Sequence, residues 1–193
     1  AQQVGMLSDI ANEYSQINET FSEASEALGF DLWAMVSEGP DTTLNQTFNT
    51  QPALLAASVA IWRVITAHCP ALTVVAGAGH SLGEYSTLVA ADAIDFSDAV
   101  KLVRRRGQLM EAAVPEGKGG MAAVLGLSDE QIVAVCEKAS QAGVVEPANF
   151  NAPGQIVIAA DDPVTGHGND QGFSHVLVSS GFGQMAIGVL MPG

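Results

Sequence analysis

Basic residues, cysteines and long apolar runs are all scarce in this chain. Of its 193 residues, 7 are Lys or Arg and 21 are Asp or Glu, which gives a formal net charge of −14. A chain this acidic repels phosphate backbones, which excludes an overall basic nucleic-acid-binding protein. The two cysteines, Cys69 and Cys136, lie outside any CxxC or histidine pairing. A disulfide framework or metal site is therefore not expected, and both thiols are predicted to be structural.

Charged residues make up only 15% of the chain and apolar residues 48%. This composition excludes intrinsic disorder, which needs low hydrophobicity together with high charge. The most apolar run, residues 53–65, contains Ser58 and Arg63 and is too short to span a bilayer. It predicts a buried core helix and no membrane partner. Since the first residues lack the basic start of a signal peptide, a cytoplasmic location is expected.

Helices and one short strand are predicted for the first part of the chain. Apolar residues at helical spacing indicate the following helices: 4–38 with interruptions, 53–68, 84–91 and 98–113. Thr50 and Ser97 are the expected caps of the second and the last of them, and a polar loop is expected through Asn49. Residues 72–76, Leu-Thr-Val-Val-Ala, form a β-branched run that is typical of a strand buried in a parallel sheet.

A second, smaller region is predicted beyond the glycine- and proline-containing stretch 115–120. Its pattern indicates strand, helix, strand and strand in this order: 121–127, 128–142, 144–149 and 155–160. That order is typical of an α+β unit and suggests an incomplete ferredoxin-like subdomain. The expected organisation is a large α/β subdomain, a small subdomain and an unassigned tail, over residues 1–116, 117–162 and 163–193.

Residues 79–83, Gly-His-Ser-Leu-Gly, match the G-x-S-x-G pattern of a nucleophile elbow. The pattern needs glycine on both sides because the serine lies in a strained strand-to-helix turn where neighbouring Cβ atoms would clash. The predicted strand before it and helix after it supply this context. Ser81 is therefore the candidate nucleophile, and the backbone N–H of Leu82 is a candidate oxyanion donor. The alternative is an ordinary serine in a glycine-rich loop.

Four of the seven basic residues cluster between residues 101 and 106. At about 100° per residue, one helix face collects the apolar residues Ala99, Leu102, Val103, Leu109 and Met110. Arg106 falls at the centre of that face, whereas Lys101, Arg104 and Arg105 fall on the opposite, solvated one. An arginine facing the core is costly unless it meets an anion. Arg106 is therefore expected to contact a structural carboxylate or a bidentate substrate carboxylate.

A serine nucleophile needs a base for its proton, and four histidines are available. His68 ends a helix, where a cation is favourable and a structural role is expected. His80 is adjacent to Ser81 and directed away from its hydroxyl, and His167 lies in a glycine-flanked loop. His175 could reach the site if the tail folds back. Ser81 with His175 would make a serine hydrolase, which is one alternative function.

Together, these motifs resemble the malonyl-CoA:acyl carrier protein transacylases, the FabD-type acyltransferases of fatty-acid synthesis. The matching segments follow one another in family order over about residues 1–160: Gln2 with Val-Gly-Met at 4–6, Thr-Gln-Pro-Ala at 50–53, and residues 79–85, 105–107, 120–123 and 149–155. The resemblance implies an α/β-hydrolase-like parallel-sheet core and a small ferredoxin-like subdomain. It also implies a chain truncated at both ends relative to the family.

The resemblance assigns a role to each matched position. Ser81 would carry the malonyl ester, and the backbones of Leu82 and Gln2 would form the oxyanion hole. Arg106 would hold the malonyl carboxylate. The remaining implied substrate-binding residues are Gln51, Met121, Asn149 and Asn151.

The implied reaction moves a malonyl group from malonyl-CoA to the phosphopantetheine thiol of acyl carrier protein through an acyl-serine. It needs no metal or dissociable cofactor, and a monomer is expected. The family's catalytic histidine precedes a Leu-Met pair, whereas residues 186–189, which directly precede Leu190 and Met191 here, include no histidine. The other alternative is accordingly an inactive, truncated acyltransferase-like module.

Overall fold

The computed structural model describes residues 2–113, 119–141, 143–160 and 186–188. Residues 186–188 are described by their backbone only. The chain divides into two compact units, Ala1–Ala112 and Ala113–Gly193. In its described residues the first unit is built from helices: α1 (Ser8–Glu13), α2 (Ser15–Leu28), α3 (Leu32–Glu38), α4 (Asp41–Leu44), α5 (Thr47–His68), α6 (Leu82–Ala90) and α7 (Phe96–Ala113).

The predicted interruptions of the first helical stretch are confirmed at two glycines. Gly29 ends α2 with φ 76°, a left-handed conformation that glycine adopts without steric cost. Gly39 follows the last residue of α3. The side chain of Asp31 accepts a hydrogen bond from the Ala34 N–H and so caps the start of α3.

The predicted polar loop through Asn49 and the cap at Thr50 are both wrong. The loop region is occupied by α4 and by the start of α5, which begins at Thr47. Glu111 Oε1 accepts a hydrogen bond of 2.6 Å from the Thr47 N–H, and the Thr50 hydroxyl donates to the Leu44 carbonyl. A carboxylate 64 residues away in sequence thus satisfies the helix start, which no local pattern could indicate.

The cap predicted at Ser97 is wrong for a simpler reason. Helix α7 begins one residue earlier, at Phe96. Asp95 Oδ1 accepts a hydrogen bond of 3.1 Å from the Asp98 N–H, so the aspartate satisfies the N-terminal donor. Ser97 lies inside the first turn.

The core of the first unit lies around the first half of α5. Ile17 and Phe21 of α2, Leu55 of α5 and Val103 of α7 are all fully buried there. The predicted burial of the apolar run 53–65 holds for its first half, since Ile61 and Ile65 are exposed and residues 62–64 are only partly buried. Within the described part of the chain, none of the helices has the length and apolar character needed to cross a membrane.

The buried strand predicted at residues 72–76 does not form. Residues 71–80 make no strand ladder and are exposed, with 95% of Val75 accessible to solvent. A strand is stable only when neighbouring strands pair with its backbone N–H and C=O groups. The described residues of the first unit contain no strand that could pair with this segment. The apolar segment leading to Ser81 therefore lies uncovered.

The second unit contains a mixed sheet with one packed helix. Its elements are β1 (Gly120–Leu125), α8 (Asp129–Ala139), β2 (Val145–Ala152), β3 (Gln155–Ala160) and β4 (Ala186–Gly188). The predicted order of strand, helix, strand and strand is confirmed. The spatial order is β2-β3-β1-β4, with β3 antiparallel to β1 and β2 and with β4 parallel to β1. Strand β4 lies in the tail, where no element was predicted.

The two cysteines differ from each other in burial. Cys136 of α8 packs with Ile132 and Ile156 in the core of the second unit, and its burial raises the pKa of the thiol. Cys69 is exposed. The predicted structural role is therefore wrong for Cys69, which directly follows α5 at the start of the uncovered segment.

Candidate active site

Ser81 occupies a strained turn directly before a helix. Its backbone has φ 55° and ψ −113°, a region that residues with a Cβ seldom adopt. Gly79 makes the turn possible, because a Cβ there would lie 2.1 Å from the carbonyl carbon and oxygen of Gly83. At Gly83 itself an added Cβ would meet nothing within 4 Å. The steric need for glycine thus holds at the first glycine of the motif and not at the second.

The turn presents Ser81 at the positive end of α6. Ser81 is exposed, and Leu82 is the first residue of the helix. The first four N–H groups of a helix have no partner inside it. Two of these donate backward into the turn, from Gly83 to His80 and from Glu84 to Ser81. The Leu82 N–H thus lies at the helix end, where negative charge is favoured.

A guanidinium contacts the Ser81 hydroxyl. Arg106 Nη2 donates a hydrogen bond of 2.9 Å to Ser81 Oγ, and Arg106 Nη1 donates one of 2.7 Å to Gln51 Oε1. Gln51 is 5% exposed, and its Nε2 donates to Met110 Sδ at 3.3 Å. The face of Tyr85 lies 5.9 Å from the guanidinium carbon. A continuous series of hydrogen bonds thus links Met110, Gln51, Arg106 and Ser81.

The predicted helix face of α7 is shifted from the observed one. The buried residues are Phe96, Ala99, Val100, Val103 and Gly107. Leu102 and Leu109, which the prediction placed on the buried face, are exposed by 45% and 53%. Around the axis of α7, Arg106 and Arg104 lie about 80° to either side of the centre of this buried face. Arg106 is therefore half-buried at the edge of the core and not at its centre.

Arg106 was expected to contact either a structural carboxylate or a substrate carboxylate. The described residues supply no structural carboxylate. The ion pairs found there are Arg63–Glu23 and Lys101–Asp98. Arg106 is held by the neutral amide of Gln51, so its positive charge has no acidic partner in the described part of the chain. An arginine fixed in this way can still accept an anionic ligand.

Arg104 departs from its predicted solvated position. It is half-buried, lies 4.6 Å over the ring of Phe30 and 5.4 Å from that of Phe48, and donates to Asn49 Oδ1. Burial lowers the pKa of its guanidinium. Its aromatic partners come from distant parts of the chain, so the wheel alone could not indicate them. Lys101 and Arg105 are exposed, as predicted.

The roles implied for the other predicted site residues, including the oxyanion role of the Gln2 backbone, are not tested by the structure. The side chain of Gln2 donates to Asn45 Oδ1 at 2.9 Å. Met121 lies on β1, and Asn149 and Asn151 lie on β2, all within the second unit. Their substrate-binding roles stay predictions.

The structure gives Ser81 no histidine partner among the residues it describes. His68 packs edge-on against Tyr14, and His80 is exposed. His167 and His175 lie outside the described residues, so the prediction of His175 as a base is untested. Met110 was not predicted as a site residue, because a thioether that accepts from a buried amide leaves no sequence pattern.

Comparison with known proteins places the chain in a family. The family model named acyl transferase domain matches residues 2–165. The chain belongs to the acyl transferase domain family. The acyltransferase resemblance seen in its motifs is thereby confirmed.

Curated relatives of this acyl transferase domain include malonyl CoA-acyl carrier protein transacylases. The chain is 57% identical over 159 residues to the malonyl CoA-acyl carrier protein transacylase of Haemophilus influenzae, a match that covers 82% of this chain and 51% of that protein. It therefore spans about half the length of the curated relatives it matches.

Solved structures of relatives share the mixed helix-and-sheet fold over the matched part. An acyl carrier protein S-malonyltransferase from Vibrio cholerae has a TM-score of 0.76 and 60% identity, and the match covers 82% of this chain and 52% of that one. A malonyl-transacylase solved in complex with its type II PKS acyl-carrier protein has a TM-score of 0.75 and 51% identity, with 83% and 52% covered.

Proposed function

We propose that this acyl transferase domain contributes the nucleophile and the carboxylate-binding arginine of a malonyltransferase. Ser81 would take a malonyl group from malonyl-CoA and pass it to the phosphopantetheine thiol of an acyl carrier protein. The observation that supports this most directly is the 2.9 Å contact between Arg106 Nη2 and Ser81 Oγ. A cation with no acidic partner among the described residues lies within reach of any anion attached at the serine.

The length of this contact favours a short dicarboxylic acyl group. In a malonyl ester, only the carbonyl carbon and one methylene separate the acylated oxygen from the free carboxylate. A malonyl group on Ser81 therefore brings its carboxylate beside Arg106. A plain acyl chain would instead place apolar carbon against a partly desolvated guanidinium, which is unfavourable. A longer dicarboxylic chain would have to fold back to make the same contact.

Gln51 supports this selectivity by holding the arginine. Its carbonyl oxygen accepts from Nη1, and its NH₂ group donates to Met110. The two partners together fix which way the amide points, because the reverse orientation would place its NH₂ group against a guanidinium donor and its oxygen against the thioether sulfur. Arg106 is positioned in advance, which reduces the entropy lost when a carboxylate binds.

The proposed chemistry has two matched halves. Ser81 Oγ loses its proton to a base and attacks the thioester carbon. The negative charge that develops on the carbonyl oxygen is stabilised at the Leu82 N–H and the positive end of α6. Coenzyme A then leaves as its thiol. The carrier thiol attacks the acyl-serine in the second half and restores the hydroxyl. No step uses a metal or a dissociable cofactor, and no described residue is assigned as the base.

The partner and the complete fold are part of the same proposal. The solved malonyl-transacylase complex contains an acyl-carrier protein, which supports a carrier protein as the second substrate here. The β-branched character of segment 72–76 is typical of a strand in a parallel sheet, and an α/β-hydrolase-like sheet is part of this proposal. The β1-α8-β2-β3 order supports a ferredoxin-like small subdomain. A cytoplasmic monomer fits this function.

Labelled malonyl-CoA tests the proposal directly. The protein is incubated with it, and a malonyl adduct on the peptide containing Ser81 is measured by mass spectrometry. We expect the adduct in the wild type and in Arg105→Ala, an exposed neighbour on the same helix, and none in Ser81→Ala. Arg106→Ala should lose the preference for malonyl-CoA over acetyl-CoA. Folded wild-type protein without an adduct would instead support the inactive module.

A further inference from the structure

We propose that Ser81 Oγ and the acyl carboxylate compete for Arg106, so that arrival of the carboxylate frees the serine oxygen. The inference rests on the proposed function. It adds a step before the chemistry, in which the free protein holds its own nucleophile in a hydrogen bond with the arginine. The substrate exchanges that bond for one to its carboxylate.

The guanidinium geometry creates the competition. A carboxylate that binds arginine by two parallel hydrogen bonds uses either the Nη1–Nη2 edge or the Nε–Nη2 edge. Each edge uses one of the two N–H groups of Nη2, the nitrogen that donates to Ser81 Oγ. Nη1 is already committed to the buried amide of Gln51. The carboxylate of a substrate whose thioester carbon faces Ser81 Oγ approaches from the side of the serine, so its fork takes the edge whose N–H the serine oxygen now accepts.

The exchange changes the state of the nucleophile. A hydroxyl oxygen has two lone pairs, and one of them is engaged while Ser81 accepts from Arg106. A cationic donor also draws electron density from that oxygen, which weakens it as a nucleophile. An acyl group with a carboxylate removes both effects, whereas an acyl group without one leaves Arg106 on the serine. Discrimination against plain acyl groups would thus begin before the ester forms.

Carboxylate affinity measures the competition without needing turnover or a carrier protein. The probe is monomethyl malonate, which keeps one carboxylate beside an ester, and its affinity for the whole chain is measured by titration calorimetry. Ser81→Ala should bind it about twofold to tenfold more tightly than the wild type, the factor that corresponds to one net hydrogen bond. The matched control is Ser58→Ala on α5, an exposed serine, which should leave the affinity unchanged.

Two additions separate competition from other causes. Ser81→Gly removes the same oxygen and accepts the positive φ of this position, so it replaces the alanine variant if that one fails to fold. Formate, the smallest carboxylate, tests whether the tighter binding comes only from the space that the removed serine side chain leaves. Tightening with both probes supports competition. Tightening with monomethyl malonate alone would indicate steric relief and overturn the inference.

The remaining outcomes are equally decisive. Unchanged or weaker binding in Ser81→Ala would overturn the inference alone, because the carboxylate would still bind at Arg106 as the proposed function requires. No binding to wild type or variant would remove the inference together with the proposed role of Arg106. A malonyl adduct missing from Ser81, with tighter carboxylate binding in the variants, would remove the transfer reaction and leave the exchange standing.

Discussion

Replacing Gly107 by alanine should destabilise the helical unit, although the same change in an open helix is stabilising. Gly107 is buried on α7 against the first turn of α5. A Cβ there would lie 2.5 Å from the Phe48 Cα and 2.8 Å from both the Phe48 N and the Thr47 carbonyl oxygen. All three atoms belong to backbone, so no side chain can rotate away. The two helices would have to separate by about 1 Å to reach ordinary contact.

The expected loss is about 1–3 kcal/mol of unfolding free energy, the range for overpacked cores. It works against a gain of up to about 1 kcal/mol from the higher helix propensity of alanine. Separation of the helices also strains the bond between Arg106 on α7 and Gln51 on α5. The variant should therefore weaken carboxylate binding as well as stability.

Urea unfolding followed by far-UV circular dichroism measures the free energy. The matched control is Gly83→Ala, since Gly83 is also helical and an added Cβ there would meet nothing within 4 Å. We expect the control to be neutral or slightly stabilised. A Gly107→Ala protein at least as stable as the wild type would refute the reasoning, as would an equal loss in the control.

Two further predictions concern side chains whose surroundings differ from those of a matched neighbour. Arg104→Lys keeps the charge but loses the planar stacking on two aromatic rings, so it should cost about 1–2 kcal/mol of unfolding free energy. Arg105→Lys should cost less than about 0.5 kcal/mol, and equal losses in urea unfolding would contradict the stacking role. Iodoacetamide should label Cys69 in the folded protein and spare Cys136, because only the thiolate reacts and burial keeps Cys136 protonated at pH values where an exposed thiol ionises. Mass spectrometry should show native labelling vanish in Cys69→Ser, and rapid native labelling of Cys136 would count against its burial.

Local sequence patterns predicted the parts of the fold that local interactions determine. The helix that follows Ser81 and the order of elements in the second unit depend on neighbouring residues, and both were found. The sequence motif around Ser81 also located the strained backbone. The strand predicted at residues 72–76 was wrong for the opposite reason, because a strand depends on pairing partners that no local pattern can supply.

Distant partners explain the errors near the candidate site. The start of α5 is set by Glu111, and the burial of Arg104 by Phe30 and Phe48. Both sets of contacts join residues far apart in sequence. The prediction that Arg106 faces the core and contacts a carboxylate rested only on the helical wheel and on the cost of an unpaired cation. The predicted buried face of α7 was nevertheless rotated from the observed one. Leu102 and Leu109 remain exposed, whereas a local pattern assumes that leucine is buried.

The amide beside Arg106 has a consequence for how an anion approaches this chain. Because Gln51 carries no charge, it orients the guanidinium without neutralising it. The whole chain carries a net charge of −14, so an anionic thioester is repelled at long range and attracted only near the arginine. Salt screens interactions beyond about 10 Å at 0.1 M far more than it weakens a contact at hydrogen-bond distance. Moderate ionic strength therefore lowers the barrier to encounter and leaves the short-range recognition largely in place.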